Sequence, residues 1–391
     1  MTDTLTIGIP RESDPQERRV AIVPAGVSQL RRLGAEVLIQ SGAGLEAGFA
    51  DEQFVEKGAT IAGSREDVFT RADIILQVRS LGACGTESQA DLKLLRPGQT
   101  LIAACDPLSC PDQMAAAATQ GARVFALELV PRITRAQSMD ILSSMATIAG
   151  YRAVLLAAMA SPRMFPMMMT AAGTLKPARV LVIGAGVAGL QAIATARRLG
   201  AQVLGYDIRP AVREQVESLG AKFVELNVRA EEAESKGGYA KEMDADFYRR
   251  QQDELKGVIA QCDVLITTAA IPGRKAPVLI TQDMAEALAA GSVIVDIAAE
   301  RGGNCELTVP GQQTVHRGIT ILGPVNLASD VPTHASEMFS RNVVTFLTPM
   351  CRDGRLEPDT SDEIIRETLV TDGGQVVLAR VRDLLSPAPP T

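Results

Sequence analysis

The strongest constraint on the fold is a glycine-rich turn placed between two short apolar runs. Val180–Ile183 leads into the sequence Gly184-Ala-Gly-Val-Ala-Gly189, an alanine-rich amphipathic segment follows, and a second apolar run ends at Asp207. This order predicts a strand, a tight turn, a helix, a second strand and an acidic residue. Such a unit is the first half of a dinucleotide-binding sheet.

Each glycine of the turn has a separate expected role. Gly184 allows a tight turn, Gly186 lets a pyrophosphate approach the backbone, and Gly189 lets the helix pack close to the strand. The N-terminus of the helix then offers unpaired N–H groups and a partial positive charge to the phosphates. The expected cofactor contacts in the turn are Gly184, Ala185, Gly186, Val187 and Gly189. The alternative is a glycine turn that joins strand and helix without binding anything.

The acid at the end of the second strand indicates which dinucleotide is bound. Asp207 can accept hydrogen bonds from both ribose hydroxyls of an adenosine, and a 2′-phosphate there would meet like charge. The sequence therefore favours NAD over NADP. Arg209 is the feature that could favour a 2′-phosphate, and we expect it to be a secondary contact.

Length and composition set the frame for this motif. A chain of 391 residues favours two domains; apolar residues make up 46% of it, and Trp is absent. Aliphatic and alanine-rich cores suit parallel strands that are covered by helices on both faces. We therefore predict an α/β fold with two Rossmann-like domains, each with a mostly parallel sheet, separated by a cleft.

Charge and residue spacing exclude several classes of function. A net charge of −7 without a basic run gives no reason to expect nucleic-acid binding. The six cysteines show no paired spacing and the chain has two histidines, so reduced thiols and no metal site are expected. No uninterrupted apolar run reaches the ~18 residues needed to span a bilayer, since Tyr151 and Arg152 break the richest stretch. We expect a soluble, cytoplasmic chain without a signal peptide.

Alternating helical and strand patterns suggest where the domains lie. The first domain is expected to comprise residues 1–140 and 329–391, and the second residues 145–328. Long helices are predicted at Met139–Ala160 and Val331–Leu347, and the tail should form a strand pair and a helix. NAD is expected along the carboxyl edge of the second sheet, with Ala270 beyond a later strand among its contacts.

Two segments interrupt this alternation. Residues Pro162–Thr174 contain a methionine cluster, which predicts adaptable core or interface packing. Residues 229–256 are densely charged around Gly237, Gly238 and Tyr239. They form either a solvated loop followed by an exposed helix, or a hinged flap that covers a bound ligand.

Longer motifs identify a family. The chain resembles the soluble NAD(H)-binding subunits of proton-translocating NAD(P) transhydrogenases over nearly its whole length, and these subunits are related to alanine dehydrogenases. The motifs shared with both groups are Ile9–Glu12, Arg18–Ala21, Pro24–Val27 and Gly42–Gly44. The motifs that resemble transhydrogenase in particular are Pro131–Asp140, Phe165–Gly173, Gly237–Met243 and Gly302–Cys305.

The resemblance implies specific cofactor contacts. Arg132, Gln137 and Asp140 match the loop that contacts the nicotinamide end of NAD(H), and Ser143 matches a further contact. Gly238 and Tyr239 match a mobile loop that closes over the nucleotide. Since a guanidinium fork and an amide can orient a carboxamide, these residue types suit that role. The alternative for Arg132 and Asp140 is an ordinary surface ion pair.

The resemblance also implies partners and a place in the cell. The family dimerises and docks against the NADP(H)-binding domain of the transhydrogenase β subunit, and hydride passes directly between two nicotinamides while protons move through membrane-spanning subunits. The chain would then lie on the inner face of the bacterial cytoplasmic membrane.

Two further functions remain open at this point. An alanine dehydrogenase needs a positioned acid or base, and such enzymes carry a lysine after the third strand and a histidine after the next. Here Gln77 stands at the first position, and the second region, Leu101–Asp106, has no histidine. Direct transfer between nicotinamides needs no such group, which favours the transhydrogenase. A non-enzymatic NAD sensor would lack these groups too, and the roles of Arg11, Gln77 and Arg79 stay open.

Overall fold

A computed structural model describes residues 4–226, 245–270, 273–352 and 354–385. The fold is α/β with two mostly parallel sheets, as the sequence predicts. The chain divides into two compact units, one of Met1–Met145 with Ser329–Thr391 and one of Ala146–Ala328.

The strands are numbered in chain order. They are β1 (Thr6–Ile9), β2 (Glu36–Gln40), β3 (Thr60–Ala62), β4 (Ile74–Arg79), β5 (Thr100–Ala104), β6 (Arg123–Ala126), β7 (Met168–Thr170), β8 (Gly173–Leu175), β9 (Arg179–Ile183), β10 (Gln202–Tyr206), β11 (Lys222–Phe223), β12 (Val264–Thr267), β13 (Val293–Asp296), β14 (Gln313–His316), β15 (Ile319–Leu322), β16 (Cys351–Arg352), β17 (Arg355–Leu356), β18 (Leu369–Asp372) and β19 (Gln375–Val376).

The α-helices follow the same order. They are α1 (Pro24–Arg32), α2 (Asp51–Glu56), α3 (Arg65–Arg71), α4 (Gln89–Leu94), α5 (Pro111–Thr119), α6 (Ile141–Ala160), α7 (Val187–Arg198), α8 (Arg213–Ser218), α9 (Ala245–Ile259), α10 (Gln282–Ala285), α11 (Pro332–Leu347), α12 (Glu363–Thr368) and α13 (Ala379–Leu385). Short 3-10 helices join several of them, including one at Thr134–Met139.

The first unit is built on an eight-stranded sheet. Its order is β19-β18-β6-β5-β4-β1-β2-β3, with β1 to β6 parallel and β18 antiparallel to β6. The direction of winding reverses between β1 and β4, so the carboxyl ends of these two strands flank the switch point at which open sheets bind ligands. Fully buried side chains such as Ile7, Ile39 and Phe346 fill the core of this unit.

The second unit is built on a seven-stranded sheet. Its order is β11-β10-β9-β12-β13-β15-β14, with β14 antiparallel at the edge, and the winding reverses between β9 and β12. The strands β9, β12 and β13 are buried along nearly their whole length because helices cover both faces of the sheet. The glycine turn after β9 therefore lies at the switch point of this sheet.

The two long helices predicted from the sequence are α6 and α11, and the tail contains the expected strand pair and helix. The methionine-rich segment was predicted to pack in a core or at an interface. It forms the β7–β8 hairpin, and Met167 and Met169 are 59% and 77% exposed, so these two side chains are not core residues of this unit and the interface part of the prediction stays a prediction.

Helix α6 corrects a second expectation. It has 20 residues, and an 18-residue stretch of it has a mean hydropathy of 1.5, so the helix is long and apolar enough to cross a membrane by length and composition. Arg152 interrupts the apolar run but does not lower the average of the helix below that level. Core helices of soluble proteins meet the same criterion, and a third of the apolar stretch is buried within the protein.

Candidate functional site

The turn between β9 and α7 has the backbone that a dinucleotide site requires. Gly184 adopts φ of 98°, a left-handed conformation that only glycine takes without strain. A Cβ on Gly189 would lie 1.8 Å from the carbonyl oxygen of Gly184, so the helix packs directly on the turn. Both glycines are therefore required by the fold itself.

Gly186 has a different environment. A Cβ built on it would have no atom of the described chain within 4 Å, so open space lies in front of the residue. Gly186 is the N-cap of α7, and no described side chain caps its N–H groups. Unpaired N–H donors facing open space at a helix N-terminus suit a pyrophosphate.

Asp207 follows β10 and is tied to this turn. Its Oδ2 accepts the N–H of Ala185 at 2.7 Å, and its Oδ1 accepts the backbone N–H of Arg209 at 2.9 Å. The guanidinium of Arg209 adds two bonds of 2.9 Å, from Nε to Oδ1 and from Nη2 to Oδ2. The side chains of the pair are 6% and 11% exposed, so this is a nearly buried bidentate ion pair.

A second polar network holds the loop beyond β12. Asn304 is fully buried; its Oδ1 accepts the N–H of Ala269 at 3.0 Å, and its Nδ2 donates to the carbonyl oxygens of Ala269 and Pro277 at 2.8 Å. Asn304 therefore positions the segment that carries Ala270. Both residues lie beyond the carboxyl ends of the strands, at the edge that carries the glycine turn.

Asp296 supports that network from the end of β13. Its carboxylate accepts bonds from the hydroxyls of Thr267 and Thr308 at 2.9 and 2.7 Å and from the N–H groups of Asn304 and Cys305 at 2.7 and 3.0 Å. The N–H of Ala298 is a fifth donor, at 3.1 Å. These five hydrogen bonds to one fully buried carboxylate hold the loop in place.

The remaining predicted contacts lie in one segment of the first unit. Arg132 and Gln137 are exposed, and Gln137 belongs to the 3-10 helix Thr134–Met139. Asp140 caps α6, because its two oxygens accept the N–H and the hydroxyl of Ser143 at 2.9 and 2.6 Å. Asp140 and Ser143 are thus joined to each other, as a helix cap.

Two contacts anchor this segment to the C-terminal part of the chain. Arg135 binds both carboxylate oxygens of Asp362 at 2.9 and 2.5 Å, and the Nδ2 of Asn342 on α11 donates to the carbonyl oxygen of Ser138 at 2.8 Å. A surface depression of about 470 Å³ lies beside the segment and is lined by Gln137, Asn342 and neighbouring polar residues.

The switch point of the first sheet is bridged by the chain's own groups. Glu12, just after β1, accepts the N–H groups of Val78 and Arg79 near the end of β4 at 2.8 and 3.1 Å. Burial, with a smaller contribution from the charge of Glu17, raises the pKa of Glu12 to about 8. Glu128 likewise accepts the N–H of Cys105 at 2.8 Å, and burial raises its pKa to about 7.

The side chain of Gln77 is buried and hydrogen-bonded within the protein. The residue is fully buried; its Nε2 donates to Asp91 at 3.1 Å, and its Oε1 accepts the hydroxyl of Ser80 at 3.0 Å. Asp91 in turn pairs with Arg65. Gln77 is therefore part of a buried network, whereas Arg79 lies nearer the surface and pairs with Asp14 at 3.7 Å.

The structure thus brings together the glycine turn, Asp207 and Arg209, with Ala270 at the same sheet edge. Gly238 and Tyr239 lie outside the described residues. Asn304 was not predicted as a site residue, although the Gly302–Cys305 motif contains it, and Glu12 lies within the Ile9–Glu12 motif. Within the described ranges, no three His, Cys, Asp or Glu side chains form a group suited to a metal ion.

Comparisons with known proteins cover nearly the whole chain. Residues 8–149 match the family model described as alanine dehydrogenase/PNT, N-terminal domain, and residues 153–379 match the corresponding C-terminal domain. The chain is 45% identical over 376 residues to an NAD(P) transhydrogenase subunit alpha protein of Rhodospirillum rubrum, a match that covers 95% of this chain and 98% of that protein.

Two solved structures are similar to the whole fold. The crystal structure of transhydrogenase from Sinorhizobium meliloti has a TM-score of 0.82 at 42% identity, covering 96% of this chain and 99% of that one. An L-alanine dehydrogenase has the same TM-score of 0.82 at 25% identity, covering 97% and 99%. The fold is therefore equally close to both, and the sequence is closer to the transhydrogenase.

Proposed function

Because this chain belongs to the alanine dehydrogenase/PNT family, we propose that it is the NAD(H)-binding subunit of a proton-translocating NAD(P) transhydrogenase. The 45% identity to a transhydrogenase alpha subunit over nearly the whole chain supports a role as a component of such a complex. The assignment of NAD(H) binding and hydride transfer to this chain rests on the glycine-turn edge of the second sheet, on the segment from Arg132 to Ser143, and on Gln77.

The second unit would hold the dinucleotide. The open space at Gly186 and the N–H groups at the start of α7 fit a pyrophosphate, and the carboxylate of Asp207 fits a ribose diol. Asn304 would keep the Ala269–Ala270 segment in place along the same edge. These features support NAD(H) as the nucleotide bound by this chain.

Arg132, Gln137 and Asp140 would orient the nicotinamide end, with Ser143 held by the Asp140 cap. When bound, the reduced nicotinamide would supply a hydride for NADP⁺ on the partner subunit. Gln137 can donate and accept hydrogen bonds, so it can fix the rotation of a carboxamide. The tasks of these residues are positioning and exclusion of water, with no proton to transfer.

The buried amide of Gln77 is the observation that carries the choice between the two family activities. Its donor and acceptor bind Asp91 and Ser80, at the position where a dehydrogenase would need a titrating lysine. Glu12 and Glu128 have a pKa near neutrality, but both accept backbone N–H bonds and so hold strand ends. This arrangement favours the transfer between nucleotides over amino-acid oxidation.

The proposal implies partners and a location. The chain would dock against the NADP(H)-binding domain of the β subunit, act as a homodimer, and lie at the inner face of the bacterial cytoplasmic membrane through membrane-spanning subunits. Proton translocation would take place in those subunits.

The test compares three reactions of the purified chain. We expect NADH binding, transhydrogenation when the NADP(H)-binding domain of the partner is added, and no NADH formation from NAD⁺ and alanine. Alanine-dependent NADH formation would identify a dehydrogenase instead. Binding of NADH without transfer to the partner's nucleotide would identify a sensor.

A further inference from the structure

We propose that the guanidinium of Arg209 occupies the place of the adenosine ribose diol, is displaced when the nucleotide binds, and thereby sets the preference between NAD(H) and NADP(H). The inference rests on the proposed function, since it assumes that Asp207 receives the ribose. It concerns a residue whose expected role was that of a secondary contact.

The hydrogen-bond count of Asp207 leads to this proposal. An ionised carboxylate offers about four lone-pair sites. All four have a donor in the structure: the N–H of Ala185 and Nη2 of Arg209 on Oδ2, and the N–H and Nε of Arg209 on Oδ1. A ribose that presents two hydroxyl donors therefore has no vacant acceptor on this carboxylate.

Two of the four donors can leave without moving the backbone. The N–H groups of Ala185 and Arg209 belong to the main chain of the two turns, where the fold fixes them. The Nε and Nη2 groups lie on a side chain with rotatable bonds, at the edge where the nucleotide is expected. Two O–H donors of the diol would thus replace two N–H donors of the guanidinium, one for one.

The replacement has opposite consequences for the two nucleotides. For NADH the guanidinium is a competitor, because its bonds to the nearly buried carboxylate must be broken first. For NADPH the 2′-hydroxyl donor is missing, and the 2′-phosphate meets the charge of Asp207. A guanidinium at this point neutralises the carboxylate and can pair with the phosphate. Arg209 therefore weakens NADH binding and favours NADPH binding.

The test measures the dissociation constants of NADH and NADPH for the full chain and two variants. Arg209→Met removes the guanidinium and keeps an apolar stem of similar length, and Arg209→Ala removes both. We expect NADH to bind about fivefold more tightly to each variant and NADPH to bind about fivefold more weakly. Arg213→Ala serves as the control, since this exposed arginine on α8 pairs with Glu217 and not with Asp207.

The outcomes separate the inference from the proposed function. NADH affinity that is unchanged or lower in Arg209→Met would overturn the displacement, as would an equal gain in Arg213→Ala. Wild-type chain that does not bind NADH would overturn the proposed function itself. Thermal unfolding of each variant, measured in parallel, identifies a variant that has lost its fold. If Arg209→Ala is unfolded, the affinities of Arg209→Met alone test the inference.

Discussion

The amide of Gln77 lies between Asp91 and Ser80, with its Nε2 3.1 Å from the Asp91 carboxylate and its Oε1 3.0 Å from the Ser80 hydroxyl. Since Asp91 also accepts bonds from Arg65 and from Ser13, the amide is one part of a buried network that joins β4 to neighbouring segments. The position that would carry a catalytic lysine in a dehydrogenase is thus used to stabilise the first unit.

Gln77→Ala should therefore destabilise the chain without affecting nucleotide binding. It removes two hydrogen bonds and leaves the buried Asp91 and Ser80 groups short of a partner, at a cost of about 2–4 kcal/mol in the free energy of unfolding. Urea unfolding measures the loss, and NADH affinity should stay at the wild-type value. Gln120→Ala, at the exposed C-terminal end of α5, is the control with little change in either quantity. A folded Gln77→Ala chain with weakened NADH binding would place Gln77 in the site instead.

Two glycines of the turn, Gly186 and Gly189, should respond differently to substitution by alanine. Gly186→Ala places a methyl group in open space, so stability should be unchanged while NADH affinity falls at least about tenfold, because the pyrophosphate loses its approach. Gly189→Ala forces a methyl group onto the Gly184 carbonyl and should cost about 1–3 kcal/mol of stability.

Gly257→Ala is the matched control for both variants. This exposed helical glycine has no described neighbour within 4 Å of a built Cβ, so alanine should stabilise α9 by ~1 kcal/mol and leave binding unchanged. Full NADH affinity in Gly186→Ala would exclude the pyrophosphate from this turn.

Stability should fall as the pH rises from about 5 to about 9. Burial raises the pKa of Glu12 to about 8 and that of Glu128 to about 7, from a usual value of 4.5. Between the pKa of a carboxyl group in the unfolded chain and its higher pKa in the folded chain, the folded chain keeps a proton that the unfolded chain has released. The free energy of unfolding therefore falls with rising pH over this interval, until the pKa in the folded chain is passed.

Glu12→Gln separates the two groups. It cannot ionise, so the pH dependence above about pH 7 should disappear and the slope below it should become shallower. Glu128→Gln should make the slope below about pH 7 shallower and leave the part above it unchanged. Denaturant unfolding at several pH values provides the measurement. Wild-type stability that rises between about pH 5 and pH 9 would show that both carboxyl groups are ionised in the folded chain.

Asp207→Asn should weaken NADH binding by about 1–3 kcal/mol, because an amide replaces the charged acceptor of the ribose. Isothermal titration gives the affinity, and Asp283→Asn at an exposed helix start controls for the loss of one negative charge. An affinity equal to that of the wild-type chain would remove Asp207 from the ribose site.

Much of the fold could be predicted because its signals are local. Apolar runs such as Val180–Ile183 mark buried strands, and the glycine turn fixes the strand–helix connection that follows. The hydrogen-bond partners of the site could not be predicted in the same way, because they are distant in sequence. Glu12 binds the N–H of a residue 66 positions away, and Asn304 holds one 35 positions away.

The sequence also did not reveal that the Arg209 side chain takes acceptor positions expected for the ribose. The spacing of Asp207 and Arg209 is visible in the chain, but not that the guanidinium takes two of the four acceptor positions on the carboxylate. The exposure of the Met167–Met169 cluster could not be predicted either, because it depends on the β7–β8 hairpin. The apolar composition of α6, by contrast, is visible in the sequence.

Isotope transfer between the two nucleotides tests the central claim most directly. NADH deuterated at the transferred position of C4 is mixed with this chain, the NADP(H)-binding domain of the partner and NADP⁺, and the NADPH formed is analysed by mass spectrometry. Direct transfer predicts that the deuterium appears in NADPH without loss to water. NADPH free of deuterium, or label passed to pyruvate and ammonia to form alanine in the absence of the partner, would contradict it.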